Sequence, residues 1–96
     1  MKSYILSPEA NVDIWSIYEY IAEDSPDRAI KFIKILKENC SLIVTTLKIG
    51  RERIDLKRGL YSFSVGDYII FYCIADRSIE IIRILHGSRD LPNYFE

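Results

Sequence analysis

The sequence predicts an α+β domain in the order β-α-α-β-β-β, with a helical hairpin packed on one face of a small, mainly antiparallel sheet. Three observations carry this. Apolar residues recur at spacings of three and four as far as residue 47, and from residue 60 the period changes to two. Two proline-containing caps, Ser7-Pro8-Glu9 and Asp24-Ser25-Pro26-Asp27, open successive helices with almost no loop between them.

Each element follows from local chemistry. Residues 2 to 6 read as a short first strand, which ends where Ser7 can cap a helix and Pro8 can enter its first turn. Ala10, Ile14, Ile17, Tyr18, Ile21 and Ala22 form one apolar stripe to about Glu23, while Asp13, Glu19 and Glu23 fall outside it. The second helix runs from about Pro26 to Leu47. Its seam is Ala29, Ile33, Leu36, Cys40, Ile43 and Leu47, widened by Phe32, Ile35 and Leu42, with Lys31, Lys34 and Lys37 on the other side. Residues 48 to 58 show neither period and hold five basic residues, as a connecting loop would.

Tyr61, Phe63 and Val65 alternate with Ser62 and Ser64, and Gly66-Asp67 supplies a two-residue hairpin turn. The eight apolar or aromatic residues from Tyr68 to Ala75 predict a central strand covered on both faces. Asp76-Arg77-Ser78 is the next turn, and Ile79 to His86 the last strand.

Ninety-six residues bury one core, so 1–96 is expected to be a single domain. The few apolar residues before Ser7 are too short a run for a signal-peptide core and no stretch approaches a membrane span, so a cytoplasmic protein without membrane attachment is expected. Cys40 and Cys73 lie in apolar surroundings without Cys/His clustering, which points to buried thiols, with no metal or cofactor. The net charge of -1 predicts no nucleic-acid partner by itself. Yet residues 28–58 hold nine Lys/Arg against three acids, suiting either a solvated face or an acidic partner.

Leu60 to Leu91, LYSFSVGDYIIFYCIADRSIEIIRILHGSRDL, strongly resembles the signature of the ParE branch of the ParE/RelE toxins. The likeness runs through Ser62, Phe63, Val65, Gly66, Tyr68, Ile70, Phe71 and Tyr72, and then through Ile79, Ile81, Arg83, Leu85, His86, Gly87, Arg89 and Asp90. It departs at Tyr61, where the pattern has Arg, and at Ser64, where it has Pro. Gly50-Arg51-Glu52-Arg53 looks like the family's Gly-x-x-Arg segment, and the family's order of elements is the one predicted above.

The resemblance implies the toxin of a type II toxin–antitoxin pair, neutralised by a ParD-like antitoxin in a hetero-oligomer. The ParE type is a DNA gyrase poison that traps cleaved DNA and needs no catalytic residue. Its target-facing residues would be Arg51, Arg53, Arg83, His86, Arg89 and Tyr94, with no sequence-specific nucleic-acid contact. The RelE type is a ribosome-dependent mRNA endonuclease; here His86 would be acid or base, with Arg58, Arg83 and either Arg51 or Arg53 as phosphate clamps. An inert antitoxin-binding module is the third possibility. An antitoxin helix would lie on the hairpin over Trp15, Tyr18, Phe32, Ile35 and Leu42.

A structural role also accounts for the HGSRD segment. Arg83 alternates with Ile79, Ile81 and Leu85, so its charge needs a partner, and Asp90 is the nearest acid once Gly87 turns the chain. Gly66, Gly87 and Asp90 are therefore read as structural.

Overall fold

The computed structural model describes residues 3–76 and 78–95. Lys2 and Arg77, assigned above to the first strand and to a turn, lie outside them.

Two helices cover one face of a five-stranded mixed sheet. The chain runs β1 (Ser3–Leu6), α1 (Pro8–Ala22), α2 (Pro26–Thr45), β2 (Arg51–Glu52), β3 (Leu60–Val65), β4 (Tyr68–Ile74) and β5 (Ser78–His86), then a 3-10 turn, Leu91–Tyr94. Strand order is β1-β5-β4-β3-β2, with β1 parallel to β5 and the other pairs antiparallel. The predicted elements are all present. The added one is β2, two residues inside the segment read as loop, too short for any period to show.

Both helix starts are capped as the sequence indicates: the Ser7 hydroxyl accepts from Ala10 N, and that of Ser25 from Arg28 N. Ala10 and Ile17 of α1 and Leu36, Cys40 and Ile43 of α2 are buried against Ile70, Tyr72, Ile79, Ile81 and Ile84 of the sheet, and Ala29 of α2 is also buried. The other face of the sheet has its own smaller core of Leu60, Phe71, Leu85 and Phe95. Phe95 comes from the C-terminal segment, which folds back to set its ring 4.7 Å from that of Phe71. β4 is the central strand and is covered on both sides, as its unbroken apolar run requires.

A register shift at Phe71/Tyr72 changes which face β5 presents. Ile81 lies opposite Tyr72 on the helix side, but Arg83 lies opposite Phe71 on the far side. One extra residue on β5 is a β-bulge, which breaks the strict alternation assumed for Ile79, Ile81, Arg83 and Leu85.

Cys40 is buried in the α2 seam, and burial pushes its thiol up to about 11. A group raised this way favours folding below its unfolded pKa near 9, and that contribution is lost as pH rises through the folded value. Between pH 9 and 11 the native protein should therefore lose about 2 kcal/mol more stability than Cys40→Ala, at about 1.4 kcal/mol per pKa unit. Urea titrations across that window check this, and parallel losses in both proteins would rule it out.

Candidate functional site

The sheet edge at β5 sets the geometry of the site. β1 covers that edge only as far as Leu6, leaving the later backbone groups of β5 without a neighbouring strand. The start of α1 takes over. Ser7 N donates to Ile81 O at 3.0 Å and the Ser7 hydroxyl to Ile82 O at 2.7 Å. Nearly two turns further on, the Asp13 carboxylate accepts Ile84 N at 2.9 Å.

The same carboxylate binds Arg83. Nε donates to Oδ2 and Nη2 to Oδ1, both at 2.8 Å, a two-pronged pair linking α1 to β5. Asp13 is only 8% exposed, so it is a buried partner and not the solvent-facing acid expected from the stripe. The partner of Arg83 is Asp13, not Asp90. The bulge starts Arg83 on the far face of the sheet, and beyond Leu6 its side chain can pass round the open edge to α1. Asp90 instead accepts from Asn93 Nδ2 at 2.6 Å, within the C-terminal turn. The Asp13 hydrogen bond is the main cause holding the Arg83 guanidinium above its usual range, and 5.0 Å away lies the ring of Tyr94.

Beside this pair an open groove of about 780 Å³ runs between α1 and the end of β5. Val12, Ser16 and Tyr20, four residues apart, form its helical wall. Tyr68, His86, Ser88, Arg89 and Tyr94 form the opposite side. The groove residues missed at the sequence level include Val12, Ser16, Tyr20, Asp13, Tyr68 and Ser88. The spacing of the first three was a usable signal.

His86 is fixed at the head of the groove. Its ring stands edge-on to Tyr68 with centroids 5.2 Å apart, and Tyr68 in turn packs on Phe32 at 5.5 Å. Ser88 N donates to His86 Nδ1 at 3.1 Å, and the Ser88 hydroxyl lies 2.8 Å from the same nitrogen. A nitrogen that accepts a backbone N–H carries no proton, so the hydrogen-bond network puts the ring proton on Nε2. In that tautomer Nε2 is a donor, and the accepting nitrogen is the one that Ser88 engages.

The predicted site residues divide into two surfaces. Arg83, His86, Arg89 and Tyr94 line the groove. Arg51 shares a rung with Arg83 through Ser62 and Phe71, but three strand spacings, about 14 Å, separate them. Arg53 is held by Asp55 at 2.9 Å and touches the Ser62 hydroxyl. Arg58 precedes Leu60, whose partner is Cys73, whereas His86 pairs with Tyr68. Arg58 therefore lies at the opposite end of the β3–β4 hairpin, about 17 Å of strand from His86. The trio Arg58, Arg83 and His86 is not assembled.

On the hairpin, Trp15 is 67% exposed and meets Tyr18 edge-on at 6.3 Å. Ile35 and Leu42 are exposed, and Tyr18 and Phe32 half-buried. Gly66 has φ +59, which the β3–β4 turn needs; Gly87 N donates to Asp67 O at 2.9 Å without a positive φ. Among the described residues no His, Cys, Asp and Glu group could hold a metal, and no helix is long and apolar enough to cross a membrane.

Fold and groove define a small α+β protein with an open groove beside a buried ion pair. The family profile of the ParE toxin of type II toxin–antitoxin systems, parDE, matches residues 4–91. The chain belongs to that family. Toxin ParE1 of Mycobacterium tuberculosis is 24% identical over 90 residues, covering 92% of both chains. Toxin ParE3 of Caulobacter vibrioides is 39% identical over 44 residues, covering 46% of this chain and 44% of that one. A solved structure described as the chromosomal ParDE TA system from P. aeruginosa superposes with a TM-score of 0.75 at 19% identity, over 90% of this chain and 95% of that one. That likeness establishes the shared fold.

Proposed function

We propose that this ParE-type toxin acts in the cytoplasm by binding DNA gyrase and holding it on cleaved DNA, and that a ParD-like antitoxin keeps it inactive in a hetero-oligomer. The single observation that carries the choice against RNA cleavage is the commitment of His86 Nδ1 to Ser88 N, with Arg58 at the other end of the sheet. A nuclease needs a proton acceptor and clamping cations around one phosphate. A poison needs a rigid surface, and His86, Arg89 and Tyr94 offer one.

The antitoxin seat is the outer face of the hairpin. Trp15, Ile35 and Leu42 present apolar area there, and Lys31, Lys34 and Lys37 make no ion pair among the described residues, so an amphipathic helix with an acidic flank suits it.

The test is a supercoiling and DNA-cleavage assay with purified gyrase, paired with expression of the toxin in growing cells. Wild-type toxin should inhibit supercoiling, accumulate cleaved complexes, and give filamentation with a DNA-damage response. Arg89→Ala should reduce potency about tenfold, a typical loss for one interface arginine, with the fold intact. Translational arrest with cut mRNA and unaffected gyrase would establish the nuclease instead. An absence of any effect would point to an inert module.

A further inference from the structure

The segment 48–58 forms a second surface, on the β2 side of the sheet, that the groove does not use. It carries Lys48, Arg51, Arg53, Lys57 and Arg58 against Glu52 and Asp55. Asp55 is taken up by Arg53, while Lys48, Arg51, Lys57 and Arg58 are exposed and make no ion pair among the described residues. A loop of free cations could be a solvated tether, but this one is built on the core. Gly50 N donates to the hydroxyl of fully buried Tyr72 at 3.0 Å, and that hydroxyl donates to Leu47 O at 2.9 Å. Arg51 pairs with Ser62, and the turn after it is closed by Leu56 N and Lys57 N donating to Arg53 O, both at 2.9 Å. Leu56 packs on the far-face core. The cations are carried on a loop whose backbone is tied to the core.

We infer that this edge binds the phosphate backbone of duplex DNA without sequence preference. Long cationic side chains without ion-pair partners suit a repeating polyanion, and the rival occupant is an acidic peptide, which would also use an apolar residue. Ile54, 69% exposed in the same turn, is the apolar residue that such a peptide would use. The inference takes its setting from the gyrase reading: while the groove faces the enzyme, this edge faces the DNA that the enzyme holds. Binding to bare duplex is measured without gyrase, so the two can fail separately.

The experiment is fluorescence anisotropy of the toxin with a labelled duplex of arbitrary sequence, across a salt series. Four phosphate contacts predict a log–log slope of about −3.6, which is about 150-fold weaker binding at 200 mM than at 50 mM salt. The triple variant Arg51→Ser, Lys57→Ser, Arg58→Ser should flatten the slope to about −0.9 with an unchanged thermal midpoint. Ile54→Ser should bind DNA as wild type does. No binding at low salt, a slope unaltered in the triple variant, or a loss in Ile54→Ser equal to that of the cations would each overturn the inference.

Discussion

Asp13→Ala is expected to lower the unfolding free energy by about 3 kcal/mol, a large fraction of what a domain of this size has to spare. The substitution orphans two donors together, the Arg83 guanidinium and Ile84 N, each of which needs that carboxylate. An unmet buried donor costs about 1–3 kcal/mol, and more when charged. Asp13→Asn should lose about 2 kcal/mol, since it keeps an oxygen for Ile84 N but gives up the charge that Arg83 needs. The decisive comparison is Asp13→Leu combined with Arg83→Met. If the loss comes from stranded groups, the double variant should be more stable than Asp13→Leu. Urea denaturation measures all of these, and an Asp13→Ala loss below about 1 kcal/mol would show that the pair contributes no more than a surface salt bridge.

Gly50→Ala is the second large effect, about 2–3 kcal/mol, and its cause is steric. A Cβ at residue 50 would lie 2.6 Å from Ser62 O and 2.8 Å from the Tyr72 hydroxyl. The first is backbone of β3 and the second belongs to a fully buried ring, so neither can move away cheaply. Gly59→Ala is the control. Gly59 has φ +79 with nothing near its missing Cβ, and should lose only about 1 kcal/mol from backbone strain. Tyr72→Phe should remove the same anchor from the other side, so the losses of Gly50→Ala and Tyr72→Phe should fall short of adding in the double variant. Equal losses at Gly50 and Gly59 would show that close approach is not what fixes glycine at position 50.

Helix caps, the α2 seam and the central place of β4 were legible because each is written in nearest-neighbour chemistry. Ser7-Pro8 and Ser25-Pro26 mark the helix starts, and the run from Tyr68 marks a strand with two covered faces. Asp13 was misjudged although its spacing was informative. It stands three residues after Ala10 and four before Ile17, so the helix turns it inward whatever its charge. A carboxylate is assigned to solvent until a partner is known, and Arg83 lies 70 residues away. The bulge was hidden for a related reason: sequence periodicity in β5 does not reveal that β4 pairs one residue short. Among the site residues, His86 and Arg89 were found by type, but Arg51 and Arg53 were grouped with them because a sequence does not show that two intervening strands keep them apart.

The parallel pairing of β1 with β5 bears on when the toxin can exist at all. Ser3 and Ser78 are register partners, so β1 waits for β5. Contacts so distant along a chain form late and slowly. A nascent polypeptide that stops before residue 78 has no edge for β1 and no arginine for Asp13. The ion pair and the edge pairing on this scaffold thus both await the synthesis of β5.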